Sequence, residues 1–475
     1  MPGRDLLENK TNILTALIAI PISIIVSLIL IKVDTIYALV AVLGLGVLIL
    51  TFINTDFAIY ILIFSMLLSP EIGSRTTAGE GITIRIDDIL LAIILFTWLA
   101  KTALNKDLGL FKTSPLNKPI AYYIFICFFT TGVGMLFGRV KPLNGLFFVI
   151  KYIEFYMIYF LVVNQIRSKK QLDNFTVALL VTFVIVVVVS LSQIPSGKRL
   201  TAPFEGDAGE PNTLGGYLIF IIAINLSLIL KPGILTSPKT RRFLLWITMI
   251  AVFPFLLTNS RGSWVAGIPV VISYIVLSSR RWVIVGFVAA LIIFAPIILP
   301  DTVIDRVKYT FKEQKGYTRT LQENVGGITL DTSASERVRS WKAAWEGVKK
   351  HPLFGFGITG WRFIDAQFMR VLVESGFIGL GFFLYLLYSI LNETWKIYKN
   401  AKIPFFKYFA LGFFVATISM MTHCIGANTF IIIRIMEPFW LICGLVISIP
   451  YIEEIEMQKL HDLKEEVTKI KLGTI

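Results

Sequence analysis

Charge is scarce in this chain. Of its 475 residues only 16% are Asp, Glu, Lys or Arg, 55% are hydrophobic, and the mean hydropathy is +0.75. A soluble globular protein of this length does not carry that balance, so the sequence reads as an integral membrane protein. Cysteine and histidine are scarcer still, at three residues each. Cys127, Cys424 and Cys443 fall inside apolar runs, where they act as small hydrophobes, which argues against a disulfide framework, a thiolate metal site or redox chemistry. No cluster with metal-ligand spacing is visible, and no convincing pairing between the two halves marks an internal repeat.

What the chain has in quantity is apolar runs close to the ~20 residues that cross ~30 Å of hydrocarbon as a helix. About fourteen such spans are expected. They lie at 12–32, 33–51, 57–70, 87–100, 119–137, 145–163, 173–193, 213–230, 243–258, 264–278, 283–299, 367–391, 406–424 and 430–450. The first, after a charged start with no small-residue cleavage site, is expected to be a retained helix. The fold class is thus an all-α polytopic membrane protein of 12–14 transmembrane helices with one long external loop. Five regions follow: N-terminal helices 1–190, a core with arginine-bearing loops 191–299, the long loop 300–366, C-terminal helices 367–450 and a tail 451–475.

A net charge of +14 would suggest nucleic acid in a soluble protein, but here it divides between two sides of a membrane, and nucleic acid is not an expected partner. With the N-terminus inside, cytoplasmic segments hold 23 of the 45 Lys and Arg and short external loops hold 8. That satisfies the positive-inside rule and places both termini in the cytoplasm. The loop 300–366 carries a further 11 and is external. Cytoplasmic loops lean to lysine, as anchors near anionic lipid do. External helix ends lean to arginine: Arg75, Arg85, Arg139, Arg199, Arg261, Arg337, Arg339 and Arg362, with Arg370 and Arg434 just inside spans. Each of these could simply snorkel to the interface. A guanidinium also holds phosphate oxygens in a bidentate fork and stays charged at any relevant pH, and ten of them on one side favour an anionic ligand.

In the long loop, Ser333 and Glu336 have capping-box spacing and Pro352 closes the run, so a helix is expected between them. Val338, Trp341, Trp345 and Val348 form its apolar stripe, and Arg339, Lys342, Glu346 and Lys350 its polar face. It reads as a helix lying on the membrane or over a cavity, or as a packed loop helix with no ligand. DTVIDRVKYTFKEQKG reads as a second short amphipathic helix ended by Gly316. Within spans, Lys151 with Glu154 and Arg434 with Glu437 are spaced to neutralise one another, and Glu374 has Arg370 one turn earlier.

Four stretches fall in an order that resembles the O-antigen ligase and O-antigen polymerase superfamily of bacterial surface polysaccharide assembly. They are GKRLTAPFEGDAGEPNTLGGYL with Arg199 and Asn212, TNSRGSWVAG with Arg261, SERVRSWKAAWEGVKKHPLFGFGITGW, and DAQFMRVLVESGFIGLGFF, together spanning roughly 190 to 390. The resemblance implies a glycosyltransferase-C-like, inverting, metal-independent enzyme without cofactor. It would use a polyprenyl-diphosphate-linked oligosaccharide on the outer face of the inner membrane. Family arginines hold the donor diphosphate. That role falls here on Arg199 and Arg261, with Arg337 and Arg339 behind them and Asn212, Arg362, Arg370, Glu374 and Arg434 as further substrate-binding candidates. Where family ligases place a histidine thought to act as base, this chain has Asp365, whose pKa nearby arginines are expected to keep low. His351 matches a position read as structural, and neither His423 nor His461 obviously substitutes. An acidic residue at that place favours a polymerase. The alternatives are a ligase that passes the glycan to lipid A core or another acceptor, and, in another class, a transporter of lipid-linked sugars, against which the one-sided loop and missing repeats argue. Membrane lipids are expected partners, and the oligomeric state is left open.

Overall fold

In the computed structural model the described residues are all but 1–34, 73–83, 105–111, 206–208, 231–236, 279, 299–300, 311–321, 326–327 and 472–475. The expected span 12–32, Arg75 and the end of the second amphipathic helix at Gly316 lie outside them.

The chain is helical along nearly all of its described length. The first helices are α1 (Thr35–Ile53), α2 (Thr55–Leu68), α3 (Ile86–Leu104), α4 (Asn117–Leu136), α5 (Pro142–Gln165) and α6 (Lys169–Ser192). The central ones are α7 (Pro211–Leu230), α8 (Pro238–Leu257), α9 (Arg261–Leu277) and α10 (Arg281–Ile298). The long loop carries α11 (Asp301–Thr310) and α12 (Thr332–Lys350), and α13 (Gln367–Asn400), α14 (Pro404–His423), α15 (Ile433–Ile447) and α16 (Ile449–Lys471) close the chain. Two minimal antiparallel hairpins interrupt this pattern, β1 (Glu71–Ile72) with β2 (Ile84–Arg85) and β3 (Asn324–Val325) with β4 (Ile328–Thr329). Among the described residues eight helices are long and apolar enough to cross a membrane, and four shorter apolar ones accompany them. The protein is a polytopic membrane protein, and the spans expected from 33 onward fall on its helices.

Proline sets many of the starts. Pro142, Pro211, Pro238 and Pro404 stand at or next to the first helical position, where a missing N–H costs nothing. At the centre, α7 and α15 are buried along nearly their whole length. The α7 to α14 crossing is close because Gly412 presents no side chain there: a Cβ would lie 2.9 Å from the backbone of Ile224.

One helix is broken on purpose. Gly376 interrupts α13 at φ +69, which frees backbone groups inside the bundle. Residues 352–357, from the end of the long loop, fill the gap. Phe377 N donates to Pro352 O (2.8 Å), while Phe356 N and Gly357 N donate to Val373 O (3.0 Å) and Glu374 O (2.7 Å). The loop is therefore pinned into the membrane helix, and the residues that follow it reach the start of α13 in a fixed position.

The expected cap of α12 is corrected. Its N-cap is Asp331, whose Oδ1 accepts from Ala334 N at 2.9 Å, and Ser333 is an exposed residue of the first turn. The apolar stripe also shifts. Ala344, Gly347 and Val348 are buried with Trp341 packed beside them, while Trp345 is exposed and meets Phe377 edge-on.

Candidate functional site

Helix α8 ends and α9 begins within three residues, and that turn organises the site. Asn259 bridges the two helices at φ +51, a conformation asparagine adopts more readily than most residues. The turn aims two carbonyls outward, and Arg199 lies across them, its Nε donating to Thr258 O (3.1 Å) and its Nη2 to Asn259 O (2.9 Å). Two residues further on, Arg261 opens α9. Burial, then Arg306 and Arg261, weaken the hold of Arg199 on its proton, which places three guanidinium groups in one electrostatic neighbourhood. Such a concentration of fixed positive charge at a helix start is suited to an anion.

Arg261 has a carboxylate partner that sequence reasoning missed. Its Nη1 lies 2.8 Å from Oδ2 of Asp331, the buried cap of α12. The same aspartate thus closes a helix with one oxygen and holds a candidate ligand-binding arginine with the other. Six residues further along α12, Arg337 Nη2 lies 3.3 Å from Asp365 Oδ2. Asp365 is held in place by its neighbours: Asn428 Nδ2 donates to Ile364 O (2.6 Å), Gln367 N to Cys424 O (3.0 Å) and Phe430 N to Gln367 Oε1 (3.1 Å).

The expectation of a low pKa for Asp365 is overturned. Burial pushes the carboxyl above its ordinary value, and the opposing pull of Arg337 and Asn428 does not cancel it. Partial desolvation of a short loop side chain outweighs a single guanidinium at 3.3 Å. A carboxylate raised in this way is a better proton acceptor than an ordinary aspartate.

Behind Arg261 runs a chain of polar side chains. Ser260, the N-cap of α9, is bonded to Asn212 Oδ1 (2.6 Å) and to Ser263 Oγ (2.8 Å), and Ser263 Oγ reaches His423 Nε2 (3.1 Å). His423 Nδ1 meets Thr429 Oγ1 at 2.8 Å. Ser263 lies within TNSRGSWVAG, but nothing local marks its partner His423, since their meeting joins α9 to α14 across 160 residues.

The remaining expected residues lie apart from this group. Arg339 pairs with Glu336 (2.8 Å) on the outer side of α12, and Arg362 is exposed. Arg370 is buried against Glu374 (3.2 Å) between the rings of Phe148 and Phe363, and Glu374 Oε1 also accepts from Thr359 N (3.0 Å). Arg434 is buried too, and its expected pairing with Glu437 is corrected. It donates to Leu67 O (2.6 Å) and Ser69 O (3.0 Å) and lies 3.5 Å from Glu205. Carbonyls at the end of α2 have no helical partner, and a long guanidinium satisfies them better than it could a carboxylate on its own helix. Lys151 does meet Glu154 (2.8 Å), and Asp88 as well (2.5 Å). His351 sits at the end of α12 with its ring edge-on to Phe356.

Three carboxylates, Asp87, Asp88 and Glu437, offer oxygens within 4.8 Å of one another. Arg85 binds Asp87 and Lys151 binds Asp88, so two of the three carboxylates have protein cations as partners, while both oxygens of buried Glu437 lack a hydrogen-bond donor among the described residues.

Architecture and site together define a class: a multi-pass membrane protein with guanidinium groups gathered at the start of one apolar helix under a helical loop. Residues 243–384, less than a third of the chain, match the sequence model of the O-antigen ligase family. Over that segment the chain carries the pattern of a glycosyltransferase of the O-antigen ligase and polymerase type, which acts on lipid-linked glycans in surface polysaccharide assembly. The segment includes Arg261, Asp331, Arg337 and Asp365, and leaves Arg199, Asn212 and His423 outside. Among curated proteins none matches the chain.

Proposed function

We propose that the chain is an inverting, metal-independent glycosyltransferase that takes a polyprenyl-diphosphate-linked oligosaccharide as donor, and that it is a polysaccharide polymerase. The observation that carries this reading is the placement of Arg199 on the carbonyls of Thr258 and Asn259, beside Arg261. Arg199 and Arg261 hold the donor diphosphate, with Arg337 adding positive potential from α12, while Arg339 is engaged by Glu336 on the outer side of that helix. The acceptor hydroxyl attacks the anomeric carbon from the face opposite the diphosphate. The bond from that carbon to the diphosphate oxygen breaks, its electron pair stays on the leaving diphosphate, and the hydroxyl proton passes to Asp365. Negative charge grows on the diphosphate as the bond breaks, so prearranged guanidiniums stabilise the transition state more than the ground state. A pair of arginines supplies the charge compensation that a divalent cation gives elsewhere.

The site belongs on the outer side of a bacterial inner membrane, with both termini in the cytoplasm; the distribution of lysine and arginine supports that orientation. The acceptor is a second lipid-linked chain. An aspartate at 365, where ligases of the family place a histidine, supports polymerase. The description of the matching family supports the second reading, transfer to lipid A core or another acceptor.

Purified protein should lengthen lipid-linked oligosaccharide in detergent, which a transporter cannot do because it makes no bond. Arg199→Gln or Arg261→Gln should abolish the product while the protein still elutes as a folded species, and full activity in Arg261→Gln would remove its assignment to the diphosphate. Surface polysaccharide from a deletion strain separates the two readings. One repeat on the core marks a lost polymerase, and bare core with accumulated lipid-linked chains marks a lost ligase.

A further inference from the structure

We infer that His423 is a positioning residue for Arg261: through Ser263 and Ser260 it fixes the first turn of α9, and so sets how the arginine meets the donor diphosphate. The inference rests on the assignment of Arg261 to that diphosphate.

The direction of each hydrogen bond can be worked out along the chain. Ser260 has one hydroxyl proton and gives it to Asn212 Oδ1. Its oxygen therefore accepts in its contact with Ser263 Oγ, so Ser263 is the donor there. Ser263 Oγ has then spent its own proton and must accept from His423 Nε2. With Nε2 protonated in a neutral ring, Nδ1 accepts from the Thr429 hydroxyl. Every member donates once in one direction, from Thr429 through His423, Ser263 and Ser260 to Asn212. This links the turn after α14 to the starts of α9 and α7.

The surroundings leave this chain little slack. His423 and Ser263 are fully buried. A Cβ on Gly215 would stand 2.4 Å from Ser263 Oγ, and one on Gly216 would stand 3.1 Å from His423 Cε1, so α7 presses its bare backbone against both side chains. Ser419, one turn before His423, donates to Ala266 O at 2.7 Å and fixes the next turn of α9 to the same helix. Arg261 itself follows Ser260 directly, so any rotation of this cap re-aims its side chain. A histidine kept only for packing would not need both ring nitrogens bonded, since a leucine or phenylalanine fills such volume without polar atoms to satisfy.

The test uses the full chain in detergent, with farnesyl diphosphate as the probe and its dissociation constant as the readout. His423→Leu is expected to weaken binding about tenfold, while His423→Gln, which keeps a donor and an acceptor, stays within about threefold of wild type. Tyr274→Phe is the control for general loosening: it removes an equally buried bond from α9 to Ala223 O and should leave affinity unchanged. If the leucine variant does not fold, Ser263→Ala cuts the same chain with a smaller change. The deciding measurement is His423→Leu in an Arg261→Gln background, where a residue that acts through Arg261 adds less than about a twofold further loss. An equal loss in both backgrounds overturns the inference, and so does wild-type affinity in His423→Leu when Arg261→Gln has lost binding. Wild-type affinity in Arg261→Gln itself removes instead the underlying assignment to the diphosphate.

Discussion

Asp331 caps α12 with one carboxylate oxygen and meets Arg261 with the other, at 2.8 Å. The loop helix and the transmembrane core are therefore held together at the candidate diphosphate site. Asn is as good a cap as Asp but carries no charge, so two variants separate the two roles. Asp331→Ala should lower stability by about 0.5–2 kcal/mol, read as a reduced melting temperature in detergent, and should also lose activity. Asp331→Asn should melt like wild type and still lose about tenfold in transfer rate, a loss of the size expected for one charge-assisted contact. Wild-type turnover in the asparagine variant would show that the ion pair is not needed for function.

Asp365 makes the reaction pH-dependent in a stated direction. It must be ionised to accept a proton, so the rate falls as the pH drops through its pKa, and burial places that midpoint above the ordinary aspartate value of 3.8. Arg337 pulls the midpoint down, so Arg337→Gln should move the acid limb of the rate profile to higher pH, with the loss reversed at more alkaline pH. Asp365→Asn should abolish that limb and cost about 10²–10⁴-fold in rate, the usual contribution of a general base. Activity surviving in the asparagine variant would leave Asp365 the task of orienting the hydroxyl.

Much of the architecture was legible because lipid imposes it: a run of apolar residues of bilayer length has no alternative to a helix, and prolines such as Pro211 and Pro404 mark where helices start. Arg199 and Arg261 stand out as charges at the ends of apolar runs, while Asp365 and the roles of all three came from the family resemblance. Their partners could not be picked out. Asp331 and His423 reach the site only through tertiary contacts with α9, and Ser333, with S-x-x-E spacing, carries a stronger local cap signal than Asp331 two residues earlier. Arg434 shows the opposite failure. Glu437 is its neighbour by helical spacing, yet the unpaired carbonyls of Leu67 and Ser69 compete better for a side chain of that length.

Gly376 is the position where the fold of the long loop depends on a missing side chain. At φ +69 and ψ −172, a region essentially reserved for glycine, any other residue costs on the order of 1–3 kcal/mol, and a Cβ there would stand 2.2 Å from Leu353 O. Gly376→Ala must therefore push residues 352–357 out of the α13 break and release the strap that leads to Asp365. Reduced thermal stability and faster protease cleavage between 350 and 366 are expected. An alanine variant with wild-type melting and cleavage would mean that the break tolerates a side chain.

Arg370 and Glu374 form an ion pair buried one turn before that break, with Thr359 N donating to the same carboxylate oxygen. Both partners left water to make it, so the pair itself adds little net stability, but either one alone is costly. Glu374→Gln strands the guanidinium and should destabilise the protein by about 3–5 kcal/mol. Arg370→Met together with Glu374→Gln removes the stranded charge while keeping an amide oxygen for Thr359 N, and should recover much of the loss. Melting of the single and double variants in the same detergent decides the matter. A double variant no more stable than Glu374→Gln would mean that Arg370 contributes through its packing between Phe148 and Phe363 rather than through charge.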